Sequence, residues 1–271
     1  MFYEQVEESV QYIRKHVKTE PLIGIILGSG LGSLVEMMED KEVLSYQDIP
    51  HFPQSRVAGH AGNLVFGRIG NQRLIVMQGR FHYYEGFSMK EVTYPIYVMK
   101  LLGVRDLIVT NACGGINPEF TPGDLMIIDD FINSLDVNPL IGDNDERFGP
   151  RFPDMSEPYS IQLREKAEQV ADQLAIPYRH GVYTLFQGPD YETGAEIRMY
   201  ARAGSDAIGM STVPETIAAN YLGIRVLGIA CITNMATGIA KEKHSHEEVV
   251  KMANKSSARL CTWMEALLKE W

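Results

Sequence analysis

Arg80 and His82 directly follow an apolar run, Leu74–Met77, and side chains of these two types could bind an anion. A short run of branched apolar residues predicts a buried strand, and ligands of open α/β sheets collect where such strands end. Residues two apart in an extended chain project to the same face, so Arg80 and His82 would face one site while Phe81 points into the core. The guanidinium offers a planar fork of donors that fits phosphate. A surface arginine beside a core histidine would give the same pattern, so the motif alone leaves both interpretations open.

A second apolar run, Leu22–Leu27, leads into the glycine-rich segment Gly28–Gly32. A turn of this kind lets backbone N–H groups approach an anion closely, and Ser29 adds a hydroxyl donor. The dinucleotide fingerprint requires glycine at the sixth position of the motif, which is Ser33 here, so that function is excluded. A plain strand-to-helix turn remains the competing interpretation.

Two further predicted strands end in residues that would fit a flat ring or a sugar. The small residues of Asn111–Gly115 follow the run Leu107–Thr110 and predict a tight turn against which a ring could lie. Tyr191 and Glu192 follow the run Val182–Gln187 and precede a predicted helix, where an acid could equally complement the helix dipole.

The last two predicted strands also end in polar residues. Ser211 and Thr212 precede Pro214 at a predicted helix start, a favourable place for phosphate, although simple helix capping would look the same. Asn234 follows the run Val226–Thr233 and brings an amide to a sheet edge where no structural need for one is evident.

Composition limits the classes of protein that these motifs could serve. The chain has 271 residues, of which 45% are hydrophobic, enough for one large α/β domain over residues 1–271. The formal net charge of -10 opposes general affinity for nucleic acid or anionic membranes. No apolar stretch approaches the roughly 20 residues that span a bilayer, and Met1–Gln5 is too acidic for a secretion signal. The three cysteines, Cys113, Cys231 and Cys261, have no paired spacing, which predicts reduced thiols in a cytoplasmic protein.

Apolar strands alternate with amphipathic helices, which predicts a mixed, largely parallel sheet with helices on both faces. The predicted strands are Leu22–Leu27, Leu64–Ile69, Arg73–Gln78, Leu107–Thr110, Leu125–Ile128, Val182–Gln187, Ala207–Met210 and Val226–Thr233. Capping boxes are predicted at helix starts for the pairs Ser88 with Glu91, Thr193 with Glu196, Thr212 with Glu215, and Ser245 with Glu248. Left-handed helix ends are predicted at Gly103, Gly204 and Gly223.

One long polar segment, Asn138–Pro158, does not fit the alternation and predicts a lid or binding loop. Its aromatic residues Phe148 and Phe152 argue against disorder.

Together these motifs resemble the trimeric purine nucleoside phosphorylases specific for 6-oxopurines. The stretches that carry the resemblance, in family order and spacing, are Gly28–Gly32, Gly59–Gly62, Gln78–Gly86, Asn111–Gly115, Gly209–Glu215 and His246–Val249. The resemblance implies the nucleoside phosphorylase fold, in which a mixed sheet forms a distorted barrel flanked by helices. It also implies phosphorolysis, in which inorganic phosphate attacks C1' of inosine, guanosine or their deoxy forms and releases the purine. Neither a metal nor an organic cofactor is implied.

Site residues are carried over from the family position by position. The resemblance assigns phosphate to Ser29, His60, Arg80, His82, the Ala112 backbone and Ser211. It assigns the nucleoside to Tyr84 on the ribose hydroxyls, Met210 beneath the sugar, His246 at the 5'-hydroxyl, Glu192 and Asn234 on the base, and Tyr191 packed against the base. The catalytic set is Asn234, Glu192, His82 and His246, and Phe152 would reach into the neighbouring subunit of a homotrimer.

Residue 234 separates the two nearest activities of this superfamily. Relatives that act on 5'-methylthioadenosine carry Asp at this position, so Asn234 favours 6-oxopurine nucleosides, and methylthioadenosine phosphorolysis is the alternative. A nucleosidase that uses water would need no anion site, so the set of Ser29, Arg80, His82 and Ser211 argues against that function. His244 and His246 form a His-x-His pair, but no further ligand is spaced to complete a metal site, so no metal is expected.

Overall fold

The computed structural model describes residues 1–28, 32–54, 61–239 and 246–271. For residues 246 and 248 it describes the backbone but not the side chains. The described helices are α1 (Phe2–His16), α2 (Met89–Leu102), α3 (Ile161–Gln173), α4 (Gly194–Arg202), α5 (Val213–Tyr221) and α6 (His246–Glu270). The described strands are β1 (Ile23–Leu27), β2 (Glu39–Ser45), β3 (Asn63–Ile69), β4 (Gln72–Gln78), β5 (Asp106–Gly115), β6 (Leu125–Asn133), β7 (Arg179–Leu185), β8 (Ala207–Gly209) and β9 (Arg225–Met235).

The strands form one mixed sheet in the order β2-β3-β4-β1-β5-β8-β7-β6-β9. An additional pairing of β5 with β9 closes β5, β8, β7, β6 and β9 into a barrel. The parallel pairs are β1–β4, β1–β5, β5–β9, β6–β7 and β7–β8, and the antiparallel pairs are β2–β3, β3–β4, β5–β8 and β6–β9. The predicted mixed, barrel-like sheet flanked by helices is therefore confirmed.

The central strands read as continuous apolar runs because helices cover both faces of the sheet. In β1 every residue is buried, yet Ile26 packs in the core beneath α1, α2 and α5, whereas Ile25 and Leu27 pack in the core beneath α3 and α6. Alternation of side chains along the strand sends successive residues to opposite cores. None of the described helices combines the length and apolar character that crossing a bilayer demands.

Strand β2 was not predicted from the sequence. Its residues, Glu39–Ser45, include three acids and a lysine, and none of its side chains is buried. The strand lies at the edge of the sheet and pairs only with β3, so its conformation comes from that partner rather than from an apolar pattern of its own. Charged residues on such an edge also discourage pairing with other chains.

The predicted tight turn at Asn111–Gly115 is also wrong. This segment continues β5 and pairs in parallel with β9 from Asn111 to Gly115. The small side chains made the segment look like a turn, but the neighbouring strand supplies the hydrogen bonds that keep it extended. The sheet therefore extends further into the site than expected, and the backbone of Ala112 lies on a strand.

Two of the predicted capping boxes are present, those of Ser88 with Glu91 and Thr193 with Glu196. The box predicted for Thr212 and Glu215 is wrong, since Thr212 has φ 76° and ψ -49° and its side chain makes no capping bond. The fourth box involves Ser245, which lies outside the described residues. The three glycines expected at helix ends have the predicted left-handed backbone, with φ 108° at Gly103, 89° at Gly204 and 67° at Gly223.

Residues 138–158 form the predicted long loop between β6 and α3, with neither helix nor strand. Phe148 anchors the loop, since its ring packs against the rings of Phe2, Tyr3 and Tyr97. Phe152, four residues further on, is 88% exposed. An anchored loop thus presents a large apolar side chain to solvent.

Candidate active site

A cavity of about 410 Å³ opens where β1, β4, β5 and β9 end. The parallel register of these strands brings their carboxyl ends together, because Leu27 pairs with Gln78 and Asn111 pairs with Ala230. The cavity collects many of the residues that the sequence analysis singled out: Arg80, His82, Tyr84, Ala112, Tyr191, Glu192, Met210, Ser211 and Asn234. The fold thus brings residues that are up to 154 positions apart in the chain to one place.

Four predicted site residues do not line this cavity as it is described. Ser29 and His60 lie outside the described residues, as does the side chain of His246. Val249, one turn further along α6 than His246, does line the cavity, so the first turn of α6 borders the site. Phe152 is exposed on the loop of residues 138–158 and is not among the residues that line the cavity of its own chain.

Arg80 lines the cavity, and its side chain is almost fully buried. Its Nη1 donates to Thr212 Oγ1 at 3.1 Å, and its Nη2 donates to the carbonyl oxygens of Thr110 and Ile26. Ser211, two residues before α5, also lines the cavity, and its hydroxyl lies 3.3 Å from Thr212 Oγ1, close to the N-terminus of the helix. Cation, hydroxyl and helix N-terminus together fit a phosphate group.

Close packing of β1 against β5 explains the glycine at the end of β1. A side chain at Gly28 would place its Cβ 2.8 Å from the Asn111 Cα, closer than packed atoms come. The Gly28 N–H donates to Thr110 Oγ1 at 3.1 Å, which fixes the two strand ends to each other. This close contact by itself requires glycine at position 28.

His82 is held by a carboxylate that the sequence analysis did not single out. Its backbone N–H donates to Glu85 Oε1 at 2.9 Å, and its ring Nδ1 lies 3.1 Å from the same oxygen. The ring also stacks on Tyr84, with centroids 4.7 Å apart and planes at 19°. Burial raises the pKa of Tyr84 to about 12, so its hydroxyl stays a neutral donor near pH 7. The spacing of three residues between His82 and Glu85 was the signal available in the sequence.

The cavity is also lined by a carboxylate and an amide, those of Glu192 and Asn234. Glu192 is 6% exposed, and burial raises the pKa of this carboxyl above its usual value of 4.5. The amide of Asn234 is held by its neighbours, with Oδ1 2.9 Å from the Thr233 hydroxyl and Nδ2 donating to the Met235 carbonyl at 3.3 Å. These bonds hold the amide in place, and Asn234 lines the cavity.

Cys113 also lines the cavity. Its thiol donates to the Cys231 carbonyl at 3.6 Å, and burial raises the pKa of Cys113 well above its usual value. The group is therefore a neutral thiol near pH 7 rather than a reactive thiolate. All three cysteines are free and buried, as expected of reduced residues.

Comparisons with known proteins agree with this architecture. A family model described as the phosphorylase superfamily matches residues 22–269, which places the chain in that class of enzymes. The chain is 52% identical to purine nucleoside phosphorylase 1 of Geobacillus stearothermophilus, covering 97% of this chain and 96% of the relative. It is also 52% identical to purine nucleoside phosphorylase 1 of Bacillus subtilis (strain 168), covering 99% of each. Within the superfamily, the chain belongs to the purine nucleoside phosphorylases.

A solved structure gives the same result for the whole fold. The purine nucleoside phosphorylase of Schistosoma in complex with hypoxanthine superposes with a TM-score of 0.94 at 41% identity, covering 98% of this chain and 97% of that one. This chain therefore shares its fold, the barrel with its flanking helices, with that relative.

Proposed function

We propose that this enzyme cleaves 6-oxopurine nucleosides with inorganic phosphate, giving the free purine and ribose 1-phosphate or its deoxy analogue. The observation that carries the proposal is one cavity lined both by Arg80, His82 and Ser211 and by the carboxylate and amide of Glu192 and Asn234. The first group would form a phosphate end that holds the nucleophile, and the second would form a base end that binds the edge of the purine. The hypoxanthine bound by the Schistosoma relative is a base of this class.

The phosphate end would stabilise the sugar as the glycosidic bond breaks. Departure of the base leaves positive charge on the ribose, so a phosphate anion held beside C1' by Arg80 and Ser211 favours the oxocarbenium-like transition state. Holding the nucleophile in place also replaces an unfavourable encounter in solution. His82, steadied by Glu85, adds a third group to the phosphate. Ser29 and His60 are proposed members of the same phosphate site, from the resemblance.

The base end would stabilise the leaving purine. As the bond breaks, negative charge develops on the purine, and Asn234 Nδ2 would donate to N7 where that charge accumulates. One such preorganised donor contributes roughly 3 kcal/mol to lowering a barrier. Tyr191 would pack on the base, while Tyr84, Met210 and His246 would contact the ribose.

Glu192 would set the preference among bases. When ionised, it accepts the N1–H of hypoxanthine or guanine, whereas adenine presents a bare acceptor at N1. Placing an unprotonated ring nitrogen against a buried carboxylate leaves both without a donor, so adenosine should be a poor substrate. Asn234 favours the same class of base over 5'-methylthioadenosine.

The reaction is balanced without a cofactor. A bond forms between C1' and a phosphate oxygen, the C1'–N9 bond breaks, and the proton that neutralises the departing base comes from the medium or the site. One nucleophile replaces another at C1', and no atom changes its oxidation state. We therefore propose that inorganic phosphate is a co-substrate and that the chain needs no organic cofactor or metal.

The first prediction tests the phosphate requirement directly. Purified enzyme with inosine should release hypoxanthine only when phosphate is present, with one ribose 1-phosphate formed per base. The measurement follows both products over a phosphate titration, with guanosine, adenosine and methylthioadenosine assayed in parallel. Base release at an undiminished rate without phosphate would identify a nucleosidase, and faster cleavage of methylthioadenosine than of inosine would identify the alternative activity.

A second prediction concerns the exposed ring of Phe152. We propose a homotrimer in which this ring, on its anchored loop, covers the ribose site of the neighbouring subunit, which is consistent with its 88% exposure in the single chain. Burial of a phenylalanine contributes about 1.5–3 kcal/mol, so Phe152→Ala should raise the KM for inosine by roughly 10- to 100-fold. The KM for phosphate should change little.

Ile141 offers a matched control, because it lies in the same loop and is 58% exposed. Ile141→Ala should leave both KM values unchanged. Mixing Phe152→Ala subunits with subunits inactivated at Asn234 should restore activity if sites are shared across the interface. A fully active monomer in sedimentation experiments, or no gain on mixing, would contradict the proposal.

A further inference from the structure

Glu215 carries a buried carboxylate next to the guanidinium of Arg80. The side chain of Glu215 is 3% exposed and that of Arg80 is 2% exposed, with Glu215 Oε1 3.4 Å from Arg80 Nη1. Within the described part of the chain, neither oxygen of Glu215 has a hydrogen-bond partner. The interaction is therefore a contact between two buried charges rather than a bidentate hydrogen-bonded pair.

The sequence suggested a different role for this acid. Glu215 is the third residue of α5, the position from which it would close a capping box with Thr212. Instead, Thr212 has a left-handed backbone that a β-branched residue rarely adopts, and its hydroxyl accepts from Arg80 Nη1 and from Asn111 Nδ2. Both residues of the expected box thus face Arg80, and strain of this kind persists where the surroundings enforce it.

The remaining contacts of Arg80 are with neutral oxygens. Thr110, Ile26 and Thr212 provide the acceptors of its hydrogen bonds, and they fix the guanidinium plane without balancing its charge. An uncompensated charge in a buried environment is strongly destabilising. Glu215 supplies the balancing charge from within the protein.

We propose that Glu215 is a positioning residue that acts on phosphate through Arg80, as an internal counter-anion. This inference rests on the proposed role of Arg80 in phosphate binding. In the phosphate-free enzyme, Glu215 balances Arg80 and keeps the empty site folded. Bound phosphate interacts with the same cation as Glu215. The carboxylate therefore lowers the affinity of the site for phosphate and for ribose 1-phosphate. Removing the charge should therefore tighten phosphate binding while destabilising the empty enzyme.

The third prediction tests this with Glu215→Gln, which keeps the shape of the side chain and removes its charge. In phosphate-free buffer the melting temperature should fall below that of the wild type. The increase in melting temperature on adding phosphate should be larger than in the wild type, and the Kd for phosphate without nucleoside should fall by about tenfold. The KM for inosine should not change, because the base end is untouched.

Two further variants separate charge from packing. Glu215→Asp retains the charge, so its Kd for phosphate should stay within about threefold of the wild type. Glu91→Gln removes an acid from the same position of another helix, since Glu91 is the third residue of α2 and lies on the surface. It should leave the phosphate dependence of the melting temperature unchanged.

The outcomes separate this inference from the proposed function. A wild type that phosphate neither stabilises nor binds would overturn the phosphate site itself. A wild type that responds to phosphate, with a Glu215→Gln variant of equal or weaker phosphate affinity, would overturn the counter-anion role alone. Equal behaviour of the Gln and Asp variants would assign Glu215 to packing. A Glu215→Gln chain that fails to fold even in saturating phosphate would also contradict the role, because phosphate should replace the missing charge.

Discussion

Replacing Asn234 by Asp should reduce phosphorolysis of inosine by about 10²- to 10³-fold while reducing that of adenosine much less. Asn234 Nδ2 is the donor proposed for N7 of the leaving base, and a carboxylate there would face the developing negative charge. Adenine carries a 6-amino group beside N7, and its N–H can donate to an aspartate. The preference should therefore move towards 6-aminopurines. The measurement is kcat/KM for both nucleosides at saturating phosphate.

The control for this substitution is Asn71→Asp, which makes the same change of charge at an exposed position between β3 and β4. It should leave both substrates unaffected. An equal loss on inosine and adenosine in Asn234→Asp would show that residue 234 serves the fold or the sugar rather than the base. A large change in the KM for phosphate would indicate that the amide lies beside phosphate rather than beside the base, which would contradict the proposal.

Glu192 should give the enzyme an acid limb in its pH profile. Burial raises the pKa of this carboxyl, so it takes up a proton at a higher pH than an exposed glutamate. The ionised form is the stronger acceptor for the N1–H of a 6-oxopurine, because protonation removes the negative charge and turns one carboxylate oxygen into a donor. As the pH falls through the raised pKa, kcat/KM for inosine should therefore fall, with its midpoint above 4.5, the ordinary value for glutamate.

The variant Glu192→Gln should lose this limb and about 10²-fold in kcat/KM for inosine at neutral pH, because its side chain is uncharged throughout. Glu196→Gln is the matched control, because Glu196 is a partly exposed acid at the start of α4 whose pKa is lowered by bonds from Thr193. It should retain the wild-type profile. An acid limb that persists in Glu192→Gln would assign the titration to another group.

The fold was predictable from the sequence because helices cover both faces of the sheet. Strand β1 is an unbroken apolar run because two cores receive its alternate side chains, and such runs stand out without any partner being known. Strand β2 has no such run, and its pairing with β3 across the edge of the sheet became visible only in three dimensions. The capping boxes of Ser88 and Thr193 were predictable because they depend on contacts three residues apart.

The same spacing misled at Thr212 and Glu215. Local chemistry favours a capping box there, but both side chains contact the buried guanidinium of Arg80 instead. Arg80 lies 132 residues from Thr212 in the chain. A buried cation must be solvated by the protein, and that requirement outweighs a cap that typically contributes about 1 kcal/mol. No local pattern could reveal which residues would meet this need.

The sequence by itself determined which chemical groups stand at the strand ends and the order in which they occur, because strands, turns and caps follow from neighbours along the chain. Tertiary structure decided which of these groups became partners. It placed Glu85 against His82, turned Glu215 onto Arg80, and left Phe152 on the outside. These pairings depend on long-range packing and on the cost of burying unpaired charge, which the local sequence does not encode.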